Sequence, residues 1–104
     1  MVALAADREY ALVLMFARED TVMDRKLAVI MCADVVAYST MMEQDEQGTF
    51  ERLSARRHEL FEPEINRHHG RMFKLMGDGL LAEFGSIVDA IECAVSLQRG
   101  LEER

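Results

Sequence analysis

The run LAVIMCA at residues 27–33 constrains this sequence most: seven consecutive apolar residues, halted abruptly by Asp34. A run so short, containing branched Val29 and Ile30, suits a β-strand covered on both faces. The rest of the chain must supply that cover. Asp34 then stands at the mouth of a buried strand, where an unpaired carboxylate is costly unless a cation or hydrogen bonds compensate it.

Further along, Phe50, Leu53, Arg57, Leu60, Phe61 and Ile65 recur at helical spacing, and Asp45 and Glu46 suit the positive N-terminal end of that helix. Pro63 kinks or restarts it, and Gly70 reads as its stop after His68 and His69. Residues 71–76 and 80–84 flank Gly77-Asp78-Gly79, a hairpin signal in which the glycines let the backbone turn sharply and leave room beside Asp78. If that hairpin pairs beside the first strand, Asp34 and Asp78 reach the same end of the sheet. Alternation places Phe73 and Leu75 on one side and Lys74 with Met72 and Met76 on the other. Ser86 followed by Asp89 resembles a capping box, and Ile87, Ala90, Ile91, Ala94, Val95 and Leu101 form the stripe of a last helix.

The order of strand, broken helix, hairpin and helix predicts an α+β fold, with helices on one face of an antiparallel sheet and an open sheet edge left behind. Residues 1–22 read as a helical N-terminal extension outside a domain spanning residues 23–104, with Met23 the expected start of natural translation.

Charge limits the partners. A net charge of −7 over 104 residues argues against electrostatic binding of nucleic acid or an anionic membrane. Residues 51–74 depart from this, with six basic residues against four acids and all three histidines, so an anion could be drawn there. Two cysteines and no secretory pattern point to a reduced, cytoplasmic compartment. The apolar stretch at residues 11–17 is seven residues long, too short to cross a bilayer. No membrane partner is expected.

Taken singly, the polar candidates carry little. Asp at a strand end is commonly a turn or cap residue, and Asp in a Gly-Asp-Gly hairpin is commonly a turn former. His68 and His69 read as a helix end, without a third ligand at zinc spacing. Cys32 and Cys93 read as buried, and Cys32, on an apolar strand, as inert. Neither GxxxxGK[ST] nor a GxGxxG after a strand occurs, so a nucleotide would have to be held in some other way.

Together, the segments LAVIMCADVVAYS, EQGTFERLSARRHELFEPEINRHHG, RMFKLMGDGLLAEF and SIVDAIECAVSLQRGLEER occur in an order that resembles the first half of a class III adenylate/guanylate cyclase catalytic domain of bacterial type, over about four fifths of the chain. The resemblance implies a ferredoxin-like nucleotide cyclase fold, truncated. It implies that Asp34 and Asp78, with the Val35 carbonyl, hold two Mg²⁺ or Mn²⁺ ions, and that Val36, Ala37, Tyr38 and Ser39 bend around a triphosphate. Ala37 stands where the family commonly has glycine. Lys74 matches the purine-reading position at which lysine goes with adenine, and a lysine, which only donates, suits the ring-nitrogen acceptor of adenine. The implied reaction converts ATP to 3′,5′-cyclic AMP and pyrophosphate.

In that family the later half of the domain supplies an asparagine, a charge-neutralising arginine and a second purine-reading residue across a dimer. This sequence ends before any match to them, so no catalytic residue is assigned and negligible turnover is expected from the chain alone. Two roles stay open: a cyclase-type domain that binds metal-nucleotide weakly as a homodimer or beside a complete cyclase chain, and a non-catalytic interaction module pairing with such a chain. A domain stacking single-stranded RNA is poorly supported by 7% aromatic residues and the acidic charge.

Overall fold

The computed structural model describes residues 2–4, 10–20 and 25–103, with side chains at 10–12 and 28–103. The described elements run β1 (Val2–Leu4), β2 (Tyr10–Asp20), β3 (Arg25–Val35), α1 (Tyr38–Gln44), α2 (Glu46–Arg56), a π-helical turn (Arg57–Phe61), α3 (Glu62–Arg67), β4 (Arg71–Met76), β5 (Gly79–Phe84) and α4 (Ile87–Glu102). The strands form one antiparallel sheet in the order β1-β2-β3-β5-β4. Helices cover one face of it. This α+β architecture is compatible with the first part of a ferredoxin-like cyclase fold.

The core lies between that face and the helices. Val29, Met31, Ala33 and Val35 of β3 and Leu80, Ala82 and Phe84 of β5 meet Leu60, Phe61 and Ile65 from the broken helix and Ala90, Cys93, Ala94, Leu97 and Leu101 from α4. Period-two alternation sends Ile30, Cys32 and Asp34 to the opposite face, where Ile30 and Cys32 are only half-buried. β3 is thus covered by helices on one face and not on both.

Local chemistry explains the helix limits. The Asp45 carboxylate accepts from Gly48 N–H at 3.0 Å and starts α2. Buried Thr49 donates its hydroxyl back to the Met41 carbonyl at 3.0 Å, tying α2 to α1. Pro63 has no N–H to give the Glu59 carbonyl, and the helix before it widens: Glu62 N–H reaches the Arg57 carbonyl, five residues back. Ser86 Oγ accepts from Asp89 N–H at 3.4 Å and caps α4.

The structure corrects several expectations. Tyr10–Asp20 is a strand, not a helix, and it pairs along the whole of β3, so the β3 edge is covered and not open. Tyr10 and Leu12 are buried in the core, and the Tyr10 ring lies 4.9 Å from that of Phe61. Met23 lies outside the described residues. Gly70 is not the left-handed residue that ends α3. His69 is, at φ 63°, and it forms a Schellman motif in which Gly70 N–H donates to Ile65 O at 2.8 Å and His69 N–H to Asn66 O at 3.2 Å. On α4, Ile87, Ile91 and Val95 face outward and Leu97 takes a buried position, while Cys93 is buried as expected.

Candidate functional site

Asp34 ends the apolar part of β3 with an exposed carboxylate on the helix-free face. Its register partner is Gly79, the first residue of β5, and the two-residue turn before it holds exposed Asp78. Val35 N–H donates to the Asp78 carbonyl at 2.7 Å, joining the end of β3 to the hairpin turn. Pairing of the hairpin against β3 therefore brings Asp34, Val35 and Asp78 to one end of the sheet.

The hairpin glycines matter for the room they leave. None has a positive φ. A Cβ on Gly79 would lie 2.9 Å from Asp34 Oδ1 and closer still to the Ala33 carbonyl oxygen, so glycine leaves room for the carboxylate and its strand. A Cβ on Gly77 would lie 3.2 Å from the Tyr38 hydroxyl, so the Tyr38 side chain reaches the hairpin turn.

Lys74 is exposed on β4 opposite Leu81, which in turn pairs with Cys32. Register thus sets Lys74, Leu81 and Cys32 in one row across the helix-free face, one row from Asp34. Met72 does not share that face. A bulge between Met72 and Lys74 adds a residue at Phe73 and resets the alternation, so Met72 packs on the core, while Leu75 keeps the face opposite Lys74.

Of the segment expected to bend around phosphates, Val36 and Ser39 are exposed, Tyr38 opens α1, and Ala37 has left-handed backbone angles, φ 59° and ψ 36°. An L-residue with a Cβ is strained there. The departure from glycine noted in the sequence thus falls where glycine is the unstrained choice.

Cys32 was missed as a member of this site. It donates its thiol to Asp34 Oδ2 at 3.5 Å, and burial, then the Asp34 charge and that bond, then Asp78, push its pKa up to about 11. Both carboxylates therefore act on one thiol. The signal was available: Cys32 lies two residues before Asp34 in a strand and must share its face. Among the described residues, no group of three or more His, Cys, Asp or Glu side chains is placed to hold a metal ion. The two carboxylates offer hard oxygen donors, which fit Mg²⁺ or Mn²⁺ when phosphate oxygens, waters or backbone carbonyls complete the shell.

The chain is 52% identical over 77 residues, 74% of its length, to a protein of Rhizobium meliloti (strain 1021) named "Putative adenylate cyclase 3". It spans 13% of that relative's length. The similarity suggests an adenylate cyclase-related domain. No family model and no solved structure matches the chain. Among the described residues, no helix is long and apolar enough to cross a membrane.

Proposed function

We propose that the sheet end carrying Asp34 and Asp78 binds ATP with two divalent cations, as part of a class III cyclase domain that forms cyclic AMP when completed by a second chain. The observation that carries this is the Val35–Asp78 backbone bond of 2.7 Å, which with the Asp34–Gly79 pairing brings Asp34 and Asp78, 44 residues apart in sequence, to one end of the sheet. Asp34 and Asp78, with the Val35 carbonyl, would hold Mg²⁺ or Mn²⁺, which when bound activates the ribose 3′-hydroxyl and offsets triphosphate charge.

The chain's own residues would bind and orient the substrate. Val36, Ala37, Tyr38 and Ser39 offer backbone amides to the phosphates. Lys74, on the same face as Asp34, donates to a ring nitrogen of adenine and finds a protonated nitrogen at the matching place in guanine, which favours ATP over GTP. Neither group supplies a charge at the leaving pyrophosphate. Loss of such a group typically costs on the order of 10²- to 10³-fold, so the chain alone is expected to bind without measurable turnover.

The test is Mn²⁺-dependent ATP binding by calorimetry on the whole chain. Asp34→Asn and Asp78→Asn should each abolish it, and Lys74→Ala should weaken ATP while leaving GTP unchanged. Binding unaffected by either Asp change would remove the metal site. Cyclic AMP produced by the purified chain alone would overturn its expected inactivity.

Pairing with a complete cyclase chain as a non-catalytic module is favoured by one feature, the exposed apolar ridge of Ile87, Val88, Ile91 and Val95 on α4. Co-migration with such a chain at micromolar concentration supports it, and separate migration counts against it.

A further inference from the structure

Between α2 and the hairpin turn runs a groove of about 180 Å³, walled by Tyr38, Met42, Phe50, Leu53, Arg57 and Met76. Leu53, Arg57 and Met76 also line a smaller hollow of about 40 Å³ that continues to Phe61 and Leu80.

Three observations bear on this groove. Phe50 is 65% exposed, although its helical spacing predicts burial. Arg57 is half-buried in the wall, and among the described residues no carboxylate pairs with it. Its guanidinium donates to His58 Nε2 at 3.3 Å, and His58 Nδ1 lies 3.0 Å from Glu62 Oε2. The His58 ring thus stands between the Arg57 guanidinium and the Glu62 carboxylate and orients the guanidinium. Finally, Arg57 opens the π-helical turn that precedes Pro63, and Leu53, Arg57 and Phe61 from successive turns all line the connected hollows.

Size and charge define the ligand. The groove is smaller than the roughly 300–1,000 Å³ of pockets for drug-sized molecules, so it suits one ring and not a nucleotide. We propose that it binds a small aromatic carboxylate, with the carboxylate accepting from Arg57 and the ring lying against Phe50, Met42 and Met76. Arginine pairs with carboxylates through two parallel N–H donors, and thioethers pack well on aromatic rings. The groove borders the nucleotide site proposed above, sharing Tyr38 and the hairpin turn with it, but its test uses neither metal nor nucleotide.

Benzoate is the probe, titrated into the whole chain and followed through amide chemical shifts. Saturable shifts are expected at Leu53, Arg57 and Gly77, and benzamide, nearly the same shape without the charge, should bind about tenfold more weakly. Arg57→Gln should reduce benzoate to the benzamide level, and Arg57→Lys should retain part of the difference. Equal binding of the two probes, shifts mapping elsewhere, or no saturable shift would overturn the proposal. The comparison of probes uses the unaltered chain, so it decides the matter even if a variant at Arg57 does not fold.

Discussion

The two ends of the sheet solve similar backbone problems with different surroundings. At one end Gly79 lets β5 approach Ala33 and Asp34 of β3, and Ala37 holds a left-handed turn just beyond. At the other, Gly70 lets the chain pass over the Phe84 ring, and His69 holds the left-handed turn. At the Gly70 end the glycine's near neighbour is the apolar Phe84 ring, and the turn's N–H groups are bonded in a Schellman motif. At the Gly79 end the neighbours are a carbonyl and an exposed carboxylate, and the cap before α1 receives no side-chain bond. One end closes the core, and the other presents oxygen atoms outward.

Gly79→Ala should break the comparison most severely. The added Cβ would collide with the Ala33 carbonyl oxygen, which is fixed in the β3–β5 ladder and cannot move aside cheaply. A loss of about 3 kcal/mol is expected, measured by urea denaturation, together with loss of Mn²⁺-dependent ATP binding. A folded variant of unchanged stability would mean that the strands do not approach this closely.

Gly70→Ala should cost less, about 2 kcal/mol, because its Cβ meets a side chain and not backbone. Phe84 is buried, so the ring cannot simply swing into solvent. The collision predicts coupling: Gly70→Ala combined with Phe84→Leu should lose less than the sum of the two single changes. Strict additivity would place the Gly70 requirement elsewhere. Here ATP binding should be unchanged relative to the folded fraction, which separates this end from the other.

Much of this contrast was legible in the sequence, for local reasons. Asp45 and Ser86 announced helix starts because capping is short-range chemistry, and a hairpin pairing beside the first strand was enough to bring Asp34 and Asp78 to one end. What escaped depended on three dimensions. The bulge at Phe73 leaves no trace in residue type, so Met72 was assigned to the wrong face. α4 has two apolar stripes, and periodicity does not say that Leu97 faces the core while Ile87 and Val95 do not. Tyr10–Asp20 became a strand because the β3 edge offered it eleven partners, a long-range pairing that its local pattern did not reveal. Gly70 and Gly77 were assigned to backbone freedom when neighbouring rings set their need.

The two left-handed residues give a smaller test. Ala37→Gly should gain roughly 0.5–1 kcal/mol, since relief of a left-handed strain of about 1–2 kcal/mol is partly offset by the greater freedom of glycine in the unfolded chain. His69→Gly should gain less, because it also removes the contact between His69 Nδ1 and Asp89 Oδ2 at 3.6 Å. Thermal melts of the two variants side by side measure the difference. A larger gain at His69 would show that the Schellman turn, and not the turn beside Asp34, carries the greater strain.

The last contrast is invisible at neutral pH. Each end has a free thiol near it: Cys32, pushed up to about 11, and Cys93, buried on α4 and pushed up to about 12 by burial first and the Glu64 charge next, with Arg67 opposing. Both start from an ordinary value of 9.0. Below that pH both folded and unfolded chains keep these protons, and stability does not depend on them. Above it the unfolded thiols ionise while the folded ones do not, so the unfolded state binds fewer protons and stability must fall as pH rises. The fall contributed by Cys93 continues to about pH 12 and that of Cys32 stops near 11. Urea midpoints taken from pH 8 upward should therefore decline less steeply in Cys93→Ala than in the unaltered chain, with a remaining decline that ends earlier. An unchanged slope would show that burial at the Gly70 end does not hold the thiol protonated, and that this end is more open to water than its packing indicates.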